Sequence, residues 1–474
     1  MNPREMPFPK NPQCDGSAKQ ITKGFRQYMG FNGTTPAIPV MASSGKPTSL
    51  ASMAGKVGMY RWAICAMLFV ATTINYMDRQ VLGILAPILQ SKLGWNDIQY
   101  GYIVTAFIAA YAIGVLAFGA VIDRIGTRLG YSLSMAIWSL AAMGHALVHT
   151  PFGFGVARAS LGLGEAGNFT SAIKTVAEWF PSRERALATG IFNSGSNIGA
   201  IIAPLCVPWI AIHYGWRPVF ILTGMCGLPW IAIWLAAYRK PRQHPHLSKA
   251  ELSYIESDAP EPQTRIPWFS LFHYRQTWAF VLAKGLTDPM WWFFLYWLPK
   301  FLYTKHGLSL GQLGLPLVVI YAFSDCGSIF GGWLSSHFIK IGWTVNRARK
   351  TAMLIFALSV TPIILASKVS SLWGAVAIIS VACASHQAWS ANMYTTGSDM
   401  FPRRAVASIV GIGTCVGGIF GMFIASFTGF ILQATHSYFS IFCFVGFIYL
   451  FALLILSILA PKLEPAGIDL PLKA

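Results

Sequence analysis

Four ionisable residues sit inside long apolar stretches: Asp78 and Arg79 in the first such stretch, Arg158 and Glu165 in the fourth. A lone charge at a bilayer centre costs roughly 2.5 to 3.5 kcal/mol on insertion scales, so residues of this kind face a polar cavity and act there. Arg158 and Glu165 are seven positions apart, two helical turns, which puts them on one face about 10 Å apart along the axis. Asp78 and Arg79 are adjacent and diverge by about 100°, so one can face a polar path while the other faces a neighbouring helix. A guanidinium binds an anion through a planar fork, and a carboxylate in a low-dielectric path can exchange protons near neutral pH. Charges of this kind on a membrane-spanning path imply a transporter.

The rest of the chain supplies that membrane setting. With 54% hydrophobic and 11% charged residues and a mean hydropathy of +0.52, it lacks the polar surface of a soluble globule, where about a quarter of residues are charged. The net charge of +18 does not signal nucleic acid, because the basic residues are spread along alternate loops and not gathered with aromatics on one face. Apolar runs of about 20 residues or more, long enough to cross a hydrocarbon core of roughly 30 Å, fall near 59–90, 98–121, 129–149, 152–177, 186–212 and 217–238, then near 277–304, 311–340, 350–368, 371–398, 404–433 and 438–460. These are twelve spans in two sets of six.

Arg124, Arg128, Arg183, Arg185, Arg239, Lys240, Arg347, Arg349, Lys350, Arg403 and Arg404 lie on one set of loops, and the opposite loops hold little beyond Lys92, Lys305 and Lys368. Positive-inside bias therefore places both termini in the cytoplasm. The organisation expected is a tail over 1–57, a six-helix bundle over 58–239, a Pro-rich charged linker over 240–276, a second bundle over 277–461 and a short tail over 462–474. Residues 1–57 read as a disordered cytoplasmic tail, unless the true chain opens at Met41 or Met53.

The two bundles repeat each other. Phe180-Pro181 with Arg183, Ala186 and Gly190 recurs as Phe401-Pro402 with Arg404, Ala407 and Gly411, a constant offset of 221 (401 − 180 = 411 − 190). Both copies join a fourth span of a half to its fifth, which makes duplication the better reading and puts a shared site between the halves. Seven of the eight cysteines lie singly within spans, with no CxxC or Cys/His cluster, so neither a metal site nor a disulfide framework is implied. No nucleophile elbow, zinc-protease motif or phosphate loop is present, and neither an enzyme nor a cofactor is expected.

GAVIDRIGTR at 119–128 joins the second and third spans. It resembles the signature loop of the major facilitator superfamily, Gly-x-x-x-Asp-Arg-x-Gly-x-Arg, at Gly119, Asp123, Arg124, Gly126 and Arg128. That resemblance implies an all-α integral membrane fold, twelve transmembrane helices in two pseudo-symmetric six-helix bundles, and a gating role for Asp123, Arg124 and Arg128. The counterpart GGWLSSHF at 331–338 carries Ser335 and Ser336 where the acidic residue would stand, so a weaker latch, or none, is expected there. Within the superfamily, Asn75-Tyr76-Met77-Asp78-Arg79, Arg158 through Glu165-Ala166, and Glu178-Trp179-Phe180-Pro181 look like the anion:cation symporters. Asp288-Pro289-Met290-Trp291-Trp292, Trp297-Leu298-Pro299-Lys300 and Ser385-His386-Gln387-Ala388-Trp389-Ser390-Ala391-Asn392 look like the hexuronate branch of that family.

The resemblance implies a proton-coupled importer of a sugar acid in a bacterial inner membrane, a monomer whose partners are the anionic substrate, protons and lipid. An aldonate such as galactonate is the alternative cargo, and a non-transporting sugar-acid sensor a remote one. Arg79 would bind the substrate carboxylate, Arg158 would pair with Glu165 or share the anion, and Asp78 and Glu165 would carry the proton; sodium is the less favoured coupling ion. Hydroxyl partners are available in Tyr76, Tyr111, Asn193, Asn197, His386, Gln387 and Asn392, with Trp291, Trp292 and Tyr296 as stacking surfaces. For the aromatics the competing role is helix packing, and for the amides interhelical bonding. Lys284 and Asp288, one turn apart, either neutralise each other or present Lys284 as a second anchor, and Asp325 has no assigned role beyond possible gating.

Overall fold

Inside hydrocarbon a helix satisfies its own backbone polar groups, and the apolar runs are helical along their lengths. The computed structural model describes residues 58–257 and 268–467. In it the first span is Tyr60–Leu93, the second and third are the two arms of Asp97–Gly144, the fourth is Pro151–Trp179, the fifth Ser182–Tyr214, and the sixth Trp216–Met225 continued by Gly227–Ala237. The second half follows with Arg275–His306, Gly314–Lys340, Val345–Val360 extended by Ile363–Ala366, Leu372–Met400, Arg403–Thr435 and Phe439–Leu459. The tail over 1–57, the centre of the linker and the last residues of the chain lie outside the described residues.

The signature loop is where Asp97–Gly144 breaks: Gly126 has φ 83° and ψ 162°, a conformation that glycine reaches without a Cβ clash. Some helix starts are capped by side chains, as where Asn96 and Gln99 form a reciprocal box before the second span. Among the described residues, length and apolarity alone single out eight helices as able to cross a membrane, one of them the 51-residue segment Asp97–Leu147 that holds two spans. The first, fourth and seventh spans are the ones left out, and they carry Asp78 and Arg79, Arg158 and Glu165, and Lys284 and Asp288.

Pseudo-symmetry is visible in which spans touch. Within the halves the first packs on the fifth and the second on the fourth, as the seventh packs on the eleventh and the eighth on the tenth. Between the halves the second meets the eleventh and the fifth meets the eighth, contacts that exchange when the halves are swapped, while the first meets the seventh. The 221-residue repeat marks equivalent turns: Pro181 and Pro402 both precede a helix with φ, ψ of −64°, 152° and −63°, 150°. The same offset joins Glu178 to Asp399 and Arg128 to Arg349 (399 − 178 = 349 − 128 = 221). In one half Thr127 donates to Glu178 at 3.0 Å; in the other Arg349 donates to Asp399 at 3.1 Å and to Ser335 at 2.7 Å. The serine that replaces the acidic residue of the signature loop thus still holds a basic partner.

Ties between the halves gather at the face opposite the basic loops. Lys300 pairs with Asp97, the Asp97 amide donates to Gln433 at 3.3 Å, Tyr100 donates to the Tyr296 carbonyl at 2.7 Å, and the Thr105 and Ser426 hydroxyls meet at 2.8 Å. At the basic face the described part of the linker folds back on the first half. Arg61 bonds Glu184 at 2.8 Å and Glu251 of the short helix Lys249–Ile255 at 3.2 Å.

Candidate functional site

The first span can approach the fifth closely because the fifth offers glycines. A Cβ on Gly195 would lie 2.4 Å from the Phe69 carbonyl oxygen, and one on Gly199 2.5 Å from that of Thr73 and 2.9 Å from Tyr76 Cβ. With that flank filled by backbone, the following turn of the first span carries Arg79 inward to meet the fourth and seventh spans.

There Arg79 is almost completely buried. Its Nε and Nη2 each lie 2.8 Å from Glu165 Oε2, and Nη2 also donates to Asn75 Oδ1 at 3.2 Å. The guanidinium is caged by aromatic rings, with centroids 4.6 Å away at Tyr76, 5.3 Å at Phe107, 5.0 Å at Tyr111 and 5.1 Å at Trp292. Ring faces stabilise a desolvated cation by about 0.5 to 2 kcal/mol each, and Trp292 brings the second half into the cage. Arg158 donates from Nη2 to the Arg79 carbonyl at 2.7 Å and lies over Phe107 and Tyr296, yet its buried Nε and Nη1 are unpaired. Glu165 therefore pairs with Arg79, not with Arg158 as one expected arrangement had it.

Asp78 points the other way, toward the Thr223 hydroxyl of the sixth span, with no well-formed hydrogen bond to either of its oxygens. Oε1 of Glu165 is likewise free. A buried polar group left unpaired costs about 1 to 3 kcal/mol, more when charged. Open guanidinium N–H groups can be completed by an anion, and an open carboxylate oxygen by a proton.

Of the residues expected to line the site, the structure gathers Tyr76, Tyr111, Trp292 and Tyr296 around the two arginines. Asn197 is half-buried and Asn193 exposed, both flanking the glycines that touch the first span. Others have different occupations. Trp291 stacks on His386 at 5.6 Å, and His386 is bonded to Tyr449 at 2.6 Å. Asn392 donates to the Gly331 and Ala388 carbonyls at 2.9 Å and so joins the tenth span to the eighth. Gln387 is half-buried, and no hydrogen bond to its side chain is seen among the described residues. Asp123 is bound at 2.7 Å by Lys174 of the fourth span, Arg128 donates to the Leu235 carbonyl, and Arg124 is exposed.

Sequence reasoning missed Phe107, which lies under both guanidiniums, and the part played by Asn75. An apolar residue in an apolar span gives no signal, whereas Asn75 stands one turn before Arg79, and that spacing was available.

The family profile described as Major Facilitator Superfamily matches residues 68–426. The chain is 31% identical over 364 residues to the hexuronate transporter of Escherichia coli (strain K12), covering 75% of this chain and 84% of that protein. It is 32% identical over 300 residues to the galacturonate transporter of Dickeya chrysanthemi, covering 62% of this chain and 87% of the other. The crystal structure of the D-xylose-proton symporter shares the fold, with a TM-score of 0.69 at 15% identity over 85% of this chain and 99% of that one. Twelve helices in two interchangeable halves, with charges buried on the first, fourth and seventh, agree with these likenesses, and the chain belongs to the Major Facilitator Superfamily of membrane transporters.

Proposed function

We propose that this carrier imports a hexuronate, such as glucuronate or galacturonate, together with a proton, across a bacterial inner membrane with its basic loops in the cytoplasm. The observation that carries the reading is the pair of buried guanidiniums set side by side, Arg79 in its aromatic cage and Arg158 with Nε and Nη1 unfilled. A carboxylate fills such donors in the planar geometry that they prefer. The phenols of Tyr76 and Tyr111 and the indole of Trp292 are the partners for the hydroxyls and face of the sugar. The named relatives, a hexuronate and a galacturonate transporter, support the same class.

Coupling follows from charge. Arg79 and Arg158 balance Asp78 and Glu165 when all four are ionised, so the empty site is neutral. A monoanion alone would leave one uncompensated negative charge in a low-dielectric region, which is costly. One proton on a carboxylate restores neutrality. Glu165 is the better placed acceptor, because substrate competes with it for Arg79. Alternating access then needs the ties between the halves at Asp97–Lys300 and Thr105–Ser426 to open as the basic face closes.

The test is uptake of labelled glucuronate, galacturonate, galactonate and glucose by cells expressing the carrier. Uptake of uronates without glucose supports the reading. Uptake of none of the acids, from well-expressed protein, overturns it.

A further inference from the structure

The second half holds its own buried ion pair, which the mechanism above does not use. Lys284 and Asp288 of the seventh span are one turn apart, with Nζ 2.6 Å from Asp288 Oδ2 and 3.2 Å from the Tyr394 hydroxyl of the tenth span. Lys284 also lies 4.3 Å from the Tyr394 ring centroid. The eleventh span makes room for the pair: a Cβ on Gly413 would come 3.0 Å from Lys284 Cδ, and one on Gly417 3.1 Å from Asp288 Oδ2. The two members are unequally covered, the Lys284 side chain being 2% exposed and that of Asp288 22%. The carboxylate is thus the accessible member of the pair, and the ammonium is the covered one.

This pair is near the cage of the first half. Trp292, against which Arg79 lies, is four residues beyond Asp288, one helical turn or about 6 Å of rise, and Tyr394 is within electrostatic reach of Tyr76 and Tyr111. The interface between the halves therefore carries a cationic group at Arg79 and an anionic one at Asp288, a helical turn from the Trp292 that cages Arg79. A carboxylate accepts hydrogen bonds from sugar hydroxyls and repels a second carboxylate.

We propose that Asp288, held in place by Lys284 and flanked by Tyr394, receives the hydroxyl end of the sugar acid and excludes substrates acidic at both ends, so that it sets the preference for uronates over aldarates. This rests on the proposed sugar-acid function and adds the polarity of the site to it. Without the Asp288 charge, the buried Lys284 ammonium keeps its bond to Tyr394 but loses its counter-ion, so the repulsion of a second carboxylate gives way to attraction.

The experiment measures how well unlabelled galacturonate and galactarate inhibit labelled galacturonate uptake in proteoliposomes. Wild type is expected to be inhibited at least tenfold more weakly by galactarate than by galacturonate, and Asp288→Asn to lose or reverse that ratio. Equal inhibition of wild type by both acids overturns the proposal, and so does an unchanged ratio in Asp288→Asn. Should Asp288→Asn fail to fold, the double variant Lys284→Gln/Asp288→Asn removes both charges together and is expected to bring the ratio close to one; if neither variant folds, the wild-type ratio decides. Absence of galacturonate uptake by wild type would instead refute the sugar-acid reading itself, a result distinct from a ratio that does not move.

Discussion

Each residue of the central cage is held by a partner on another span, so each makes a separable forecast. In Arg79→Lys the charge remains and the fork is lost. Hydrogen bonds to charged groups are worth about 1.5 to 3 kcal/mol, so hexuronate affinity should fall roughly 10- to 100-fold. Thermal stabilisation by added galacturonate is the measurement, and a wild-type shift would remove Arg79 from the site. Glu165→Gln mimics the protonated carboxylate: it should exchange substrate across a membrane but fail to concentrate it, because the empty carrier must return without its proton. Comparing exchange with accumulation at equal protein density checks this. Retained pH-driven accumulation would shift the proton role to Asp78, whose oxygens are also unpaired.

The elements that hold these side chains depend on close contact between helices. Gly199→Val should force its Cβ into the Thr73 carbonyl, 2.5 Å away, at a cost of about 1 to 3 kcal/mol for overpacking. A lower Tm and weaker galacturonate binding are expected together, since the first span carries both Tyr76 and Arg79; an unchanged Tm would contradict the packing described. Much of this level was legible in the sequence. Nine of the twelve spans follow from apolar length alone, the charged first, fourth and seventh read as spans only beside them, and the signature loop coincides with the break at Gly126. Partner choice was not legible: Arg158 and Glu165 share a helical face by spacing, yet Glu165 turns to Arg79 of another span, because interhelical geometry decides which cation lies nearest. Nor did spacing reveal Phe107 beneath both guanidiniums, since its neighbours in sequence are equally apolar. The 221-residue repeat was read from the Phe-Pro turns, while the equivalent braces at Glu178 and Asp399 emerged only when their partners Thr127 and Arg349 were seen in place.

At the scale of the molecule, the proposed alternating-access cycle requires the two halves to separate at the face where they are tied. The Thr105 and Ser426 hydroxyls, 2.8 Å apart on the second and eleventh spans, offer a site for a disulfide. Thr105→Cys/Ser426→Cys should transport when reduced and stop when oxidised, with recovery on adding reductant. Full transport by the cross-linked form would show that this face need not open.

The central claim joins a sugar-acid anion to a proton at one neutral site, and the most direct measurement of it is accumulation of labelled galacturonate in proteoliposomes under an imposed pH gradient without sodium. The account predicts uptake above the external concentration when the interior is alkaline, collapse of that accumulation with a protonophore, and no response to a sodium gradient alone. Galacturonate uptake indifferent to the pH gradient, or accumulation driven by sodium at uniform pH, would contradict it.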